Sequence, residues 1–342
     1  MKTQVMGAEG IDLAAKLIRE GEVVAFPTET VYGLGGDCFN DDAVKRIYAA
    51  KGRPSDNPLI VHISTLSDVY RVAKDVPDAY FRLAEKFLPG PLTVILPKAD
   101  DLPLSCTGGL DTVAVRYPAH KMARDFIKAT GTLIAAPSAN VSTHVSPTTA
   151  KHVYDDLNGR IPLILDGGEC EGGIESTIIT LCREIPTILR PGIITERDLS
   201  TVLNEVELFK GKVEKAEAPG MKYKHYAPKA PLTLLEGEPS KMAAAFRRQV
   251  RRLQGVGRTV GVLASHEVCE SLQGLVPAEL LKDYGPQGDL LAIAAHIYEE
   301  LIAFNDTEAD ALLGEGTTEK GLGLAIMNRL HKASGFHSIK IS

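Results

Sequence analysis

Short apolar runs dominate the first two hundred residues. VVAF, PLIVHIS, LTVILP, TVAVRYP, TLIAAPS, PLILDGG, STIITL and TILRPG are rich in β-branched residues and end at Pro, Gly or polar positions, which predicts strands. Between them, apolar residues recur at helical spacing over 10–20, 41–50, 78–88, 119–130 and 148–157. The opening stretch MKTQVMGAEGIDLAAKLIREG reads as an amphipathic helix. Strands outnumber helices, so this half is expected to form one large mixed sheet. From residue 232 the pattern changes. PLTLLEG, TVGVLAS and DALLGEG alternate with helical patterns at 240–254, 266–274, 289–304 and 321–334, the signature of a small doubly wound parallel α/β domain. The stretch 211–231, GKVEKAEAPGMKYKHYAPKAP, has three prolines, five lysines and no long apolar run, and reads as an extended linker. The expected organisation is therefore 1–210, a linker or lid at 211–231, and 232–342.

Composition narrows the function classes. The chain has 342 residues and a formal charge of −6 without a single tryptophan, which argues against a nucleic-acid module held by counterion release. No run approaches the roughly 18 apolar residues of a spanning helix, and the N-terminus lacks a secretory pattern, so a cytoplasmic protein with no membrane partner is expected. The cysteines at 38, 106, 170, 182 and 269 form no C-x-x-C pair and read as free buried thiols.

Several motifs need more than turn chemistry. FPTETVYGLGGD at 26–37 puts a proline, a glutamate, a tyrosine and two threonines between a strand and a glycine turn, a polar cluster that ending a strand does not require. In KGRPSDNPLIVHIS, Pro54 and Pro58 bias Arg53 and Asn57 toward extended backbone, which could hold Lys51 and Arg53 over one anion, or leave them as a solvated basic loop. His62, on the apolar strand, suits a core histidine or a site group. Arg116 closes the strand TVAVR, where an unpaired guanidinium is costly; it either pairs with an acid or binds one, and a ligand carboxylate fits its fork. Ser138 and Asn140 follow another strand. Ser146-Pro147 looks like an N-cap with proline at the first helical position, and such a helix start could also hold phosphate. Glu175, Ser176 and Thr177 lie on a glycine-rich excursion, and Arg190 ends a strand. Together these are cations and small hydroxyls suited to a polyanion plus a small zwitterion. The glycines of GEGTTEKGLGLA match no phosphate-binding fingerprint and are assigned to turns.

PTETVYGLG at 27–35, KGRPSDNPL at 51–59, PSAN at 137–140 and PGMKYKHYAP at 219–228 resemble the YrdC-like threonylcarbamoyl-AMP synthases in their long, two-domain form. The resemblance implies a twisted mixed sheet with a concave pocket. It also implies a nucleotidyltransferase that makes L-threonylcarbamoyladenylate from L-threonine, bicarbonate and ATP with release of pyrophosphate. A downstream tRNA threonylcarbamoyltransferase system would consume the product at adenosine 37. The implied threonine positions are Thr30, His62, Arg116, Ala136 and Ser176. The implied ATP positions are Arg53, Asn57, Thr112, Ser138, Ser146, Arg190 and Tyr226. Lys51 and Arg53 are expected to act on phosphate or bicarbonate, and Mg2+ is expected to arrive with ATP, without dedicated protein ligands. Two other classes share the module: a hydrogenase-maturation carbamoyltransferase, whose acylphosphatase and zinc-finger regions this chain lacks, and a non-catalytic RNA-binding protein.

Overall fold

The computed structural model describes residues 2–211, 216–221 and 226–342. Residues 212–215 and 222–225 of the expected linker lie outside the described residues. The chain divides into two compact units, Met1–Ser142 with Ser146–Tyr223, and Thr143–Val145 with Lys224–Ser342. Among the described residues no helix is long and apolar enough to cross a membrane.

The first unit holds an eleven-stranded mixed sheet. Its spatial order is Gln4–Met6, Leu163–Leu165, Val24–Phe26, Gly33–Asp37, Ile134–Ala136, Ile60–His62, Thr112–Arg116, Leu92–Pro97, Thr177–Thr180, Thr187–Arg190 and Glu207–Leu208. Alternation along these strands sorts the two faces. Val61, Val113, Val115, Ala135, Val94 and Ile179 point into the main core, together with Val44 and Ile47 from the helix Asp41–Lys51. The residues between them point the other way and make two separate apolar patches. Val24, Phe26, Ile134 and Ala136 pack under the helices Ile11–Arg19 and Lys121–Thr130. Ile60, Ile95, Ala114, Ile178 and Leu189 are covered by Ala218, Phe209 and Met221. On this second face His62, Thr93 and Arg116 interrupt the apolar pattern, with His62 and Thr93 both paired across the sheet to Arg116.

Two expectations are corrected at the N-terminus. Gln4–Met6 is an edge strand paired with Leu163–Leu165, and the helix starts only at Ile11. Gly33–Asp37, read as a glycine turn, is a strand between Val24–Phe26 and Ile134–Ala136. Its glycines serve close packing: a Cβ at Gly35 would lie 2.5 Å from Ile134 Cγ2 and 2.9 Å from Phe26 Cε1. Cys182 is exposed, whereas the other four thiols are buried as expected.

The second unit is a five-stranded, wholly parallel sheet in the order Leu281–Asp283, Val260–Ala264, Ala311–Glu315, Leu232–Gly237, Ser338–Ile341. Helices Pro239–Gln254, His266–Ser271, Leu290–Ala303 and Leu322–Ala333 connect the strands, giving the doubly wound α/β architecture. The three anticipated strands form the centre of the sheet, and two short ones that carry no strong apolar run, 281–283 and 338–341, are its edges.

Candidate functional site

The polar strip on the second face begins with Arg116. Its Nη2 donates to Thr30 Oγ1 at 2.7 Å and to Thr28 Oγ1 at 3.4 Å, and lies 2.9 Å from Glu29 Oε1. The last contact lacks hydrogen-bond geometry, so it is an electrostatic pairing. Both side chains are buried, 5% and 13% exposed. Glu29 Oε2 accepts from the Ala119 backbone N–H, while Glu29 Oε1 and Arg116 Nε have no hydrogen-bond partner. A buried acceptor and a buried donor left open beside each other are costly unless something else meets them. Of the two fates open to Arg116, then, an acid partner is present, and one further donor is spare.

The strip continues through Thr93, directly across from Arg116. Thr93 Oγ1 shares a hydrogen bond of 2.8 Å with Ser176 Oγ. Arg190 clamps Ser176 from the other side, Nε donating to its carbonyl and Nη2 to its hydroxyl, both at 3.1 Å. Arg190 Nη1 donates to Pro219 O at 3.3 Å, so the first part of the expected linker folds back on this unit. Ser146 Oγ donates to Glu175 Oε1 at 2.6 Å. It caps no helix: the following helix is Ala150–Leu157, capped by Thr149, whose hydroxyl accepts from His152 N–H. The free amides expected at Ser146 are therefore not a helix start, because the chain needs three more residues to turn.

Lys51 ends the helix Asp41–Lys51 at Gly52, whose left-handed backbone turns the chain into the basic loop. The lysine is 1% exposed, and Nζ donates to the carbonyls of Ser138 and Asn140 (2.6 Å for the latter) and to Asn140 Oδ1 at 3.3 Å. Burial, and then the charge of Arg53, push its pKa well below the usual lysine range. Three donors on three acceptors make Lys51 the pin that shapes the 138–140 loop. Ser138 Oγ donates to Asn140 Oδ1 at 2.6 Å. Arg53 Nη2 donates to the carbonyls of Asn57 and Pro58, and Asn57 Oδ1 is a buried acceptor with no hydrogen-bond partner. Backbone bonds knit these loops at one end of the sheet: Leu34 N to Pro137 O, Ala139 N to Tyr32 O, Tyr32 N to Pro147 O and Gly172 N to Glu29 O.

His62 Nδ1 lies 3.1 Å from Ile60 O and donates to it. Burial, with Arg116 adding to it, lowers its pKa to about 3. The ring is neutral at neutral pH and a weak base, which suits packing and hydrogen bonding better than proton removal. Ala136, paired with Ile60, has no functional side chain, and Thr112 opens the Arg116 strand on the same face. Tyr226 belongs to the second unit, where its ring stacks on Tyr298 with centroids 5.2 Å apart. The sequence reading gave no individual role to Thr28, Glu29 or Thr93, and it named Glu175 only as part of the glycine-rich excursion. Thr93 could have been found as the polar position within the apolar alternation LTVILP, and Glu29 lies inside the quoted PTETVYG. The described residues whose carboxylates and imidazole converge as metal ligands would are Glu236, Glu319 and His331, in the second unit; Lys340 Nζ already sits 2.6 Å from Glu236 and answers its charge.

Comparison with known proteins agrees with both units. A family model described as "Telomere recombination" matches residues 16–192, and one described as "Threonylcarbamoyl-AMP synthase, C-terminal domain" matches 194–335. The chain is 45% identical over 335 residues to the threonylcarbamoyl-AMP synthase of Pyrococcus abyssi, covering 97% of this chain and 96% of that protein. It is 46% identical over 331 residues to the Bacillus subtilis protein of the same name, covering 96% and 93%. The crystal structure of Pyrococcus abyssi Sua5 complexed with L-threonine superposes with a TM-score of 0.93 at 43% identity, covering 99% of this chain and all of that one.

Proposed function

The chain belongs to the threonylcarbamoyl-AMP synthase family, and from that premise we propose that it makes L-threonylcarbamoyladenylate from L-threonine, bicarbonate and ATP, releasing pyrophosphate as a nucleotidyltransferase. The observation that carries the reading is the Glu29–Arg116 pair, a buried acid and base each with an open polar atom. An α-amino acid offers the complementary charges: its carboxylate meets Arg116 and its ammonium meets Glu29. Thr30 and Ser176 present hydroxyls for threonine's own, Ala136 contributes backbone, and His62 contributes a neutral ring.

Chemistry needs the amine in its neutral form. Glu29 Oε1, the buried acceptor without a hydrogen-bond partner, is placed to orient the amine by accepting from it, whereas His62 Nδ1 already donates to Ile60 O. The amine then joins bicarbonate to give a carbamate and water, and a carbamate oxygen displaces pyrophosphate from the α-phosphate. Each step gathers negative charge, so fixed cations do most of the work. Arg53 and Arg190 are assigned to the triphosphate, with Asn57, Thr112, Ser138 and Ser146 as polar partners. Lys51 is assigned to holding the 138–140 loop rather than to direct contact with phosphate. Magnesium would supply charge neutralisation on the triphosphate. The only carboxylates among these residues are Glu29 and Glu175, each already engaged, which fits a metal carried on phosphate oxygens. The substrates, and a tRNA-modifying acceptor that consumes the adenylate, put the reaction in the cytoplasm.

The test is pyrophosphate release from ATP and bicarbonate with each amino acid in turn, with the adenylate identified by mass spectrometry. Release that depends on threonine and bicarbonate together is expected. Release indifferent to either, or none at all, would overturn the assignment.

A further inference from the structure

The second unit holds a cleft of about 300 Å³ that the proposed reaction does not use. Its position follows from the winding. The chain runs from strand 232–237 to 260–264 and on to the edge strand 281–283, then reverses to 311–315 and the opposite edge at 338–341. Right-handed crossovers put helices on one face before the reversal and on the other after it. The helices 239–254 and 266–271 pack together, as do 290–303 and 322–333. A crevice therefore opens beyond the carboxyl ends of the central strands, the place where doubly wound sheets bind ligands. The residues after strands 232–237, 281–283 and 311–315 line it.

Glu315, at the end of the central strand, lies in that lining and is 3% exposed. Its Oε2 accepts from Ser265 N–H at 2.8 Å and from Ser265 Oγ at 2.7 Å, with the Tyr284 hydroxyl at 3.2 Å. Oε1 has one partner, Gln287 Nε2, at 3.1 Å, and so retains acceptor capacity toward the cleft. Among the described residues the partners of the Glu315 carboxylate are Ser265, Tyr284 and Gln287, with no lysine or arginine, and none lines the cleft. Met242, Leu290 and Ile293 share the lining, as does Thr318, which is exposed. A cleft with an acid, no cation and an apolar wall repels phosphates and carboxylates that lack a positive group. A protonated amine, by contrast, would complete the hydrogen bonding of Oε1 and supply the missing countercharge.

We propose that the second unit binds a small primary ammonium compound with a short apolar body, the ammonium on Glu315 and the body against Met242 and Ile293. The space suits on the order of ten non-hydrogen atoms, judged from roughly 30 Å³ for a water molecule. Simple amines and α-amino acids share this chemistry. The sequence segment GEGTTEKGLGLA, assigned above to turns, thus supplies the acid as well as part of the rim.

The experiment uses the full chain with labelled methionine and isoleucine methyls, reading Met242 and Ile293 by NMR while isobutylamine, L-valine, isobutanol and isobutyrate are titrated separately. Saturable shifts with isobutylamine, L-valine or both are expected, the pattern telling the simple amine from the amino acid, with none from the alcohol or the acid. Thr318→Lys, at an exposed position, should weaken binding at least ten-fold by placing a cation at the rim, and Glu315→Gln should abolish it. Thr318→Lys answers the question even if Glu315→Gln does not fold. Saturation by isobutanol or isobutyrate as tight as by the amines, no saturable shift from either amine, or unchanged affinity in Thr318→Lys would overturn the proposal.

Discussion

Replacing Glu29 with glutamine tests the buried pair at the centre of the site. The substitution keeps the shape and an acceptor oxygen but removes the negative charge 2.9 Å from Arg116, in a pair whose members are 5% and 13% exposed. Removing one partner of such a pair costs about 3–5 kcal/mol, because the remaining charge stays buried without compensation. Here the Thr30 hydroxyl at 2.7 Å still accepts from the guanidinium, so the expected loss is near the lower end, about 3 kcal/mol. The companion is the double variant Glu29→Gln with Arg116→Met, which removes both charges and should recover at least half of that loss. Urea titration with pulsed thiol labelling reads the right unit, since Cys38 and Cys106 are fully buried in the main core of the first unit. A Glu29→Gln variant within about 1 kcal/mol of the parent, or a double variant that loses the sum of both single losses, would refute the argument that Glu29 is the countercharge of Arg116.

Two further outcomes follow from the same geometry. Arg190→Ala breaks the clamp on Ser176 and the tie to Pro219, and should lower adenylate formation about 100-fold through loss of charge stabilisation; unchanged turnover at low ATP would place the working cation elsewhere. His62, with a pKa lowered to about 3, contributes stability that is complete above the unfolded value near 6.5 and is lost as pH falls from there toward 3, at up to about 1.4 kcal/mol per pH unit. His62→Gln should flatten that acid limb of the unfolding curve, and an unaltered limb would show that the ring is not buried neutral.

Much of this architecture was readable because alternation and helical spacing are strong signals in apolar strands. The strands flanking Arg116, and the helices at 41–51, 121–130, 239–254 and 322–333, fall where the pattern put them. The errors have particular causes. Gly33–Asp37 carries almost no side chains, so a strand whose glycines exist to admit Phe26 and Ile134 looks like a turn. Ser146-Pro147 carries a helix-start signal, yet the helix begins only at Ala150 with Thr149 as its cap, and the Ser146 hydroxyl donates to Glu175 instead. Glu29 illustrates a different limit. Its partner is 87 residues away in sequence, and only the fold brings the loop after strand 24–26 beside the end of strand 112–116.

The return of residues 216–221 onto the first unit changes what a linker means for this chain. A spacer would leave its residues in solvent, yet Ala218 is buried among Ile60, Ile95, Ala114, Ile178 and Leu189, and Pro219 O accepts from Arg190. These five apolar residues lie on the same face as the polar strip, so their cover and the position of Arg190 are one structural problem. A chain ending at Lys210 therefore uncovers apolar surface and frees one end of the arginine that holds Ser176, while leaving the main core intact. It should stay folded but lose adenylate formation, whereas a chain ending at Met221 restores Ala218 and Pro219 and should regain Arg190's hold on Ser176. Threonine affinity by calorimetry, together with pyrophosphate release, would be measured for both and for the full chain. Threonine binding at parental strength in the 1–210 chain, no better in 1–221, would show that the returning segment is a tether after all.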